Sequence, residues 1–169
     1  MRDTQGFDLF YRETLTRVMR YAYALVGDAA DTQDVVQEAY ARAWRHWRKV
    51  ADHPAPEAWV RLTVSRLATD RWRRSAKWLN ILARTSGPPP TVRPPNEDTV
   101  LLTAALKTLP VKQRQAVALY YLYDMPVSRI AAEMGVPENT VKSWLSRART
   151  TLAGLLAGSG VAAEMVEVQ

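Results

Sequence analysis

Apolar residues recur every three or four positions through both halves of the chain, which is the spacing of amphipathic helices. In the first half this spacing predicts three main helices: the first from about Phe7 to Val26, the second beginning at Asp31, and the third from about Glu57 to Trp78. Gly27 is expected to end the first helix, and Asp31 is expected to be the N-cap of the second. No segment alternates as a strand does, so the sequence predicts an all-α fold.

Each of these helices carries a stripe of residues that should face the core of a small helical domain. The stripes consist of Tyr11, Leu15, Val18, Ala22 and Leu25 in the first helix, Val36, Tyr40, Ala43 and Trp47 in the second, and Val60, Val64 and Leu67 in the third. The segment His53–Pro56 contains two prolines and should separate the second helix from the third.

The segment from Met125 to Arg149 has the pattern of a helix-turn-helix. Pro126 suits the first position of a short helix, and Gly135 follows its end, where a left-handed glycine carries no Cβ penalty. Val136 and Pro137 then open a second helix. Its apolar stripe, which should face the first helix, consists of Val141, Leu145, Ala148 and Leu152. A helix-turn-helix of this kind places its second helix in a DNA major groove.

Side chains that can donate hydrogen bonds occupy the opposite side of this second helix. They are Asn139, Lys142, Ser143, Ser146, Arg147 and Thr150, with Arg149 on the flank. No acidic residue lies between Asn139 and Leu152, so this face suits base edges and phosphates. A solvated amphipathic helix is the alternative interpretation, and the preceding helix and Gly135 weaken it.

Half of the ten prolines lie between Arg84 and Glu97, in a stretch without helical or strand periodicity. Such a stretch is typical of an extended, semi-rigid linker, and structureless stretches of this length are uncommon inside compact domains. We therefore expect a first domain over residues 1–83, a proline-rich linker over 84–96 and a second helical domain over 97–157. Residues 158–169 form a tail without basic residues, which is either disordered or a short helix that covers a DNA face.

Composition agrees with a nucleic-acid partner, since the net charge is +6 and the pI is about 9.8. The chain has no cysteine, and His46 and His53 lack a metal-ligand pattern. We therefore expect no metal site, no cofactor and no catalytic residues. No apolar run approaches the roughly 18 residues of a membrane span, and no signal-peptide core begins the chain, so we expect a cytoplasmic protein that does not insert into membranes.

Charged residues in the first half are sorted by position. The acidic residues Asp28, Asp31, Asp34 and Glu38 gather at the start of the second helix, and the basic residues Arg42, Arg45, Arg48 and Lys49 gather near its end. Complementarity to the helix dipole is one explanation of this arrangement. The end of the third helix combines Arg71, Arg73, Arg74 and Lys77 with Trp72 and Trp78. Cations interleaved with indole rings suit phosphate neutralisation and base stacking, which predicts a DNA contact there.

Four motifs follow one another along the chain. They are Asp31-Thr-Gln-Asp34-Val-Val-Gln37-Glu38, then Trp59 with Asp70, Arg73 and Arg74, then Leu109-Pro110 with Gln113 and Arg114, and finally Thr140-Val141-Lys142-Ser143 with Arg147-Ala148-Arg149. In order and spacing they resemble regions 2.2, 2.3–2.4, the start of region 4, and region 4.2 of the extracytoplasmic-function (group IV) sigma factors, in the bacterial sigma-70 family. The resemblance covers roughly Phe10 to Leu156. The arginine-rich composition fits a GC-rich, actinobacterial source.

The resemblance implies that the chain directs core RNA polymerase to the −10 and −35 elements of promoters. It implies binding of the β′ clamp helices through Asp31, Asp34, Gln37 and Glu38. It implies capture of the melted −10 element through Arg66, Asp70, Arg71, Arg73, Arg74 and Lys77, with a base flipped out near residues 49–56. The second domain would pack on the β flap and bind the −35 element through Asn139, Thr140, Lys142, Ser143, Ser146, Arg147 and Arg149. An anti-sigma protein is the implied regulatory partner, and no small-molecule substrate is implied.

Three positions depart from the family pattern. Arg66 stands where Asn is frequent, Arg129 stands where Glu precedes the Ile-Ala of the first helix, and Trp144 replaces a frequent Arg on the second. Trp144 projects about 60° from the buried stripe, which favours packing in the domain core over a DNA contact. These departures affect the expected promoter sequence and not the class of protein.

Two other functions fit parts of the sequence. An autonomous helix-turn-helix regulator would bind an operator as a dimer, although no coiled-coil heptad or ligand domain supports it. An enzyme would use Asp31, Asp34 and Glu38 as metal or acid–base ligands, although these acids have no partnered His or Gly-rich loop.

Overall fold

The computed structural model describes residues 3–82 and 97–157 of the chain. Within these two ranges all regular secondary structure is α-helical, which confirms the expected fold class. The expected linker over 84–96 and the tail over 158–169 lie outside the described residues. None of the described helices is both long and apolar enough to cross a membrane.

The chain divides into two compact units, Met1–Arg93 and Pro94–Gln169. The described helices of the first unit are α1 (Thr4–Val26), α2 (Ala29–Arg45), α3 (Trp47–Ala51) and α4 (Pro56–Leu82). Those of the second unit are α5 (Glu97–Lys107), α6 (Val111–Leu122), α7 (Val127–Met134) and α8 (Glu138–Leu155).

The core of the first unit lies where α1, α2 and α4 pack against one another. Most residues of the expected stripes are buried there, including Val18, Ala22, Val36, Ala43, Val60 and Val64, and Tyr21, Ala39 and Val50 are buried outside those stripes. Burial of each such valine contributes roughly 1.5–3 kcal/mol. Three stripe residues differ from expectation: Tyr11 is exposed, and Leu15 and Leu67 are half-buried, while Ala68 takes the buried position on α4.

The connection between α1 and α2 is shorter than expected. Gly27 ends α1 in the left-handed region, with φ 76°, and its N–H donates to the carbonyl of Tyr23, as predicted. The expectation that Asp31 caps α2 is wrong. Asp28 is the N-cap, since its backbone is extended and its carboxylate accepts a hydrogen bond from the N–H of Asp31 at 2.9 Å. Because α2 begins at Ala29, Asp31 already lies in its first turn.

A break at His46 divides the expected second helix. α2 ends at Arg45, and His46, with φ −108° and ψ 19°, begins the separate short helix α3. Trp47 is buried as expected but belongs to α3. α4 begins at Pro56, as the proline segment predicts, and extends to Leu82, beyond the expected end at Trp78.

Buried hydroxyl pairs join the helices of the first unit. The Tyr21 hydroxyl lies 2.6 Å from Ser65 Oγ and connects α1 to α4, while Thr14 Oγ1 lies 2.7 Å from the Tyr40 hydroxyl and connects α1 to α2. Burial raises the pKa of Tyr40 to about 12. These pairs satisfy polar atoms that would destabilise the core if left alone, and they fix the helices in one register.

The second unit is built around α8, which packs against α5, α6 and α7. The expected stripe of α8 is confirmed: Val141, Leu145, Ala148 and Leu152 are all fully buried. Arg114 on α6 is also buried and donates to the carbonyls of Lys107 and Leu109 at 3.3 and 3.0 Å. The guanidinium thereby satisfies carbonyls at the end of α5.

Gly135 makes the turn between α7 and α8. It lies in the left-handed region, with φ 65° and ψ 38°, and its N–H donates to the carbonyl of Ala131. A Cβ at this position would meet no atom within 4 Å, so the requirement for glycine is conformational and not steric. The turn therefore fixes the angle at which α8 leaves α7.

Replacement of Gly135 by Ala should destabilise the second unit by about 1–2 kcal/mol, because an L-residue is strained in the left-handed region. Gly154→Ala is the matched control, since Gly154 lies in α8 with equally open space around it. There the same change should stabilise by up to about 1 kcal/mol. Urea denaturation followed by circular dichroism measures both, and equal effects of the two substitutions would contradict the turn's role.

Candidate functional site

The exposed face of α8 carries the residues expected at the −35 element. Asn139, Lys142, Ser146, Arg147 and Arg149 are exposed, while Thr140 and Ser143 are half-buried. Because the buried stripe takes up the other side of the helix, these side chains point away from the core of the unit. Thr150 is exposed too, but its hydroxyl donates to the carbonyl of Ser146 at 3.1 Å.

An aromatic ring supports one end of this face. The guanidinium carbon of Arg149 lies 5.9 Å from the centroid of the Tyr120 ring on α6, within cation–π range. Arg149 is therefore held at the flank of α8, as its helical position predicts. Trp144 is half-buried, so part of its ring packs and part remains accessible.

The acidic start of α2 faces α4. Asp31 Oδ1 and Asp34 Oδ2 lie 3.0 and 3.1 Å from the same Nη2 atom of Arg71. Gln37 is exposed and adjoins this pair on the same helix. The contact of Arg71 with the two acids is not predicted by the sequence patterns.

Glu38 completes this surface and has its own basic partners. Its carboxylate accepts a hydrogen bond from Arg42 Nε at 2.8 Å, and Arg45 Nη2 lies 4.0 Å away. The hydrogen bond from Arg42 is the main reason that the pKa of Glu38 is lowered from its ordinary value. The acids and arginines together line a cleft of about 510 Å³ between α2 and α4, formed by Asp31, Asp34, Val35, Glu38, Arg42, Leu67, Asp70, Arg71 and Arg74.

The distal part of α4 presents the basic residues expected at the −10 element. Arg66, Asp70, Arg73, Arg74 and Lys77 are all exposed. Trp72 is 52% exposed, an unusual position for an indole ring and one suited to stacking. Arg71 differs from these neighbours because its guanidinium points to the acids of α2. The side chain of Trp78, predicted to join this cluster, lies outside the described residues.

A second concave surface lies where α2 meets α3. It has a volume of about 400 Å³ and is lined by Trp44, Arg45, His46, Trp47, Arg48, Lys49 and Asp52. Phe7 of α1 lies behind the two tryptophans, with ring centroids 5.0 and 5.2 Å away. Of the segment 49–56 expected to capture a flipped base, Lys49 and Asp52 line this surface. Sequence reasoning missed Trp44 and Phe7, although both lie at helical spacing from other aromatic residues.

The three carboxylates of the α2 surface are paired with arginines. Asp31 and Asp34 face Arg71, and Glu38 faces Arg42. Within the described parts of the chain, no group of three or more His, Cys, Asp or Glu side chains is placed to hold a metal ion. The ion pairs fit a charged binding surface.

Two family profiles match the chain with the same division. The profile described as Sigma-70 region 2 matches residues 10–78, and the profile described as Sigma-70, region 4 matches residues 99–152. The relative described as ECF RNA polymerase sigma factor SigL, from Mycobacterium tuberculosis, is 36% identical over 158 residues, which cover 89% of this chain and 89% of the relative. This chain belongs to the extracytoplasmic-function sigma factors.

A further relative extends the match to almost the whole sigma factor. RNA polymerase sigma-E factor of Streptomyces coelicolor is 30% identical over 168 residues, covering 99% of this chain and 95% of the relative. Both relatives come from actinobacteria, in agreement with the composition. The family match confirms the expected function: a sigma factor associates with RNA polymerase and directs it to promoters, and the autonomous regulator is not favoured.

Solved structures show the same fold. The sigma factor RpoE of Bartonella quintana, in complex with the anti-sigma factor NepR, has a TM-score of 0.71 at 23% identity, over 89% of this chain and 98% of that one. CnrH, in complex with the cytosolic domain of CnrY, has a TM-score of 0.64 at 22% identity, over 94% and 92%. Sigma factors as a class are DNA-binding initiation factors and not catalysts.

Proposed function

We propose that this sigma factor binds the β′ clamp helices of core RNA polymerase through Asp31, Asp34, Gln37 and Glu38. The observation that carries the proposal is that the carboxylates of Asp31, Asp34 and Glu38 line one accessible cleft, with Gln37 exposed on the same helix. Three acidic residues and a glutamine thus lie together on α2, and such a surface suits a cationic protein partner.

The distal part of α4 is the proposed binding surface for the melted −10 element. Exposed cations at Arg66, Arg73, Arg74 and Lys77 supply phosphate neutralisation, and the exposed ring of Trp72 supplies a stacking surface. The concave surface at the α2–α3 junction, with its aromatic and basic lining, is suited to an unstacked base. Asp70 adds an acceptor among these donors.

The exposed face of α8 is the proposed reader of the −35 element, while the second unit packs on the β flap. Lys142, Ser143 and Arg147 have the donors that read base edges in a major groove. Arg149, held against Tyr120, is placed for a phosphate. Asn139 and Thr140, at the start of α8, add polar groups beside the groove.

An anti-sigma protein is the proposed regulator, because the sigma factor RpoE, which has the same fold, was solved in complex with the anti-sigma factor NepR. We also propose that the chain acts in the cytoplasm, where its polymerase and promoters are, as a non-enzymatic subunit without a cofactor. Three experiments test these assignments.

Replacing Asp34 and Glu38 by Lys should weaken binding to core RNA polymerase by about tenfold or more, because repulsion replaces attraction at the interface. Fluorescence anisotropy with labelled chain and purified core enzyme measures the affinity. The double reversal of Asp8 and Glu13 on α1 makes the same change in net charge and serves as the control. Unchanged core affinity, with unchanged circular dichroism, would refute the assignment.

Arg147→Ala should cost about 1–3 kcal/mol in holoenzyme binding to a promoter and relax the preference at one base pair, as expected for loss of a bidentate base contact. Arg149→Ala should instead weaken binding evenly across sequences and reduce the salt dependence. A series of promoter variants tested against both substitutions separates the two roles. If Arg147→Ala affects all variants equally, Arg147 does not read a base.

The free sigma factor should bind promoter duplex little better than random duplex at about 150 mM salt, where non-specific phosphate contacts are weakened. Each unit alone offers a small surface to the DNA, and the proposed role of polymerase is to let both units bind at once. In-vitro transcription with core enzyme should nevertheless start at the promoter. A free chain that footprints both promoter elements at nanomolar concentration would support the autonomous regulator instead.

A further inference from the structure

Arg71 lies between the two charged surfaces of the first unit. It belongs to α4, at the start of the basic distal part, yet its Nη2 atom lies 3.0 Å from Asp31 Oδ1 and 3.1 Å from Asp34 Oδ2 on α2. Arg71 lies 37 or more positions from either acid in sequence, so the contact is made by the packing of α2 on α4. One guanidinium is therefore shared by two carboxylates.

The position of Arg71 on α4 also brings it close to the DNA-binding side chains. Residues three apart in a helix are neighbours, with a rise of about 4.5 Å between them, so Arg71 and Arg74 lie next to each other. Both line the cleft between α2 and α4. A phosphate held by Arg74 would lie within reach of the Arg71 side chain if its guanidinium were released from the acids.

The ion pairs that hold Arg71 are exchangeable. Its side chain is 37% exposed, and those of Asp31 and Asp34 are 42% and 62% exposed. Exposed ion pairs contribute little to stability, and a competing partner can replace them at low cost. A cationic protein surface that approaches the carboxylates competes directly for the atoms that Arg71 now contacts.

We propose that Arg71 couples the polymerase-binding surface to the DNA-binding surface, by moving from the carboxylates of Asp31 and Asp34 to a DNA phosphate when a cationic partner engages those carboxylates. The inference rests on the proposed assignment of α2 to polymerase and of α4 to DNA. Free sigma factor thus has one fewer cation available for DNA than its sequence suggests. Because coupling is reciprocal, DNA that binds Arg71 also frees the two acids for polymerase.

A double-mutant cycle on the full-length chain tests this coupling without polymerase. The probe is a fluorescein-labelled single-stranded DNA of about 20 nucleotides and mixed sequence, at about 50 mM salt, where phosphate contacts are strong. Arg71→Gln is measured in the natural background and in the Asp31→Asn, Asp34→Asn background. The amides match the carboxylates in size but lack their negative charge. They therefore mimic acids that no longer bind Arg71.

Arg71→Gln should reduce DNA affinity less than about twofold in the natural background, and about three- to tenfold once the acids are neutralised, as one added phosphate contact predicts. Arg73→Gln is the matched control: it lies on the same helix, is exposed, and has no acidic partner among the described residues. The effect of Arg73→Gln on DNA affinity should be the same in both backgrounds, because neutralising Asp31 and Asp34 releases Arg71 and not Arg73.

Equal effects of Arg71→Gln in the two backgrounds would overturn the inference, as would a larger effect in the natural background. Asp31→Glu with Asp34→Glu provides a second test, since it preserves the charges that hold Arg71. In that background the effect of Arg71→Gln should stay below about twofold, and an effect as large as in the amide background would count against the coupling.

Failure of the inference about Arg71 can be distinguished from failure of the proposed function. If the Lys substitutions at Asp34 and Glu38 leave core affinity unchanged, the assignment of α2 to polymerase fails. The double-mutant cycle still measures whether Asp31 and Asp34 keep Arg71 from binding DNA. If core affinity falls but the cycle shows no coupling, the assignment stands and the inference about Arg71 fails.

Discussion

The burial of the first half of α4 is the constraint on which the charged surfaces of the first unit depend. Val60 and Val64 are fully buried against α1 and α2, and the hydrogen bond between Tyr21 and Ser65 fixes the rotation of the helix about its axis. Because α4 continues without a break to Leu82, this rotation also decides where its distal side chains point. The core thus orients Arg71 toward α2 and leaves Trp72 and Arg73 in solvent.

In the second unit, too, a buried core decides which side chains face outward, and this core is separate from that of the first unit. There the buried stripe of α8, from Val141 to Leu152, fixes which residues face outward, and Gly135 sets the direction of the helix. Tyr120 adds an aromatic support for Arg149. Each unit therefore positions its own exposed side chains by its own packing, which agrees with the separate matches to sigma region 2 and sigma region 4.

Sequence patterns predict the features that depend on local residue spacing. They miss the contacts that depend on how the helices pack. The stripe of α8, the glycine ends of α1 and α7, and the proline start of α4 follow from periodicity and backbone preference, and all are confirmed. Asp31 was mistaken for a cap because Asp28 satisfies the same rule three residues earlier. The contact of Arg71 with Asp31 and Asp34 joins residues remote in sequence, so no spacing rule contains it. The burial of Arg114 has the same cause, since its partners are carbonyls at the end of another helix.

The division of α8 into a buried and an exposed face has an evolutionary consequence. Substitutions at the four buried positions disturb the core, and selection for a folded chain acts strongly on them. Substitutions on the exposed side cost little stability, so that side is free to change while the scaffold persists. On the proposed assignment of this face to the −35 element, related chains can diverge in the DNA they prefer without passing through unfolded intermediates, and one small scaffold can serve many distinct promoters.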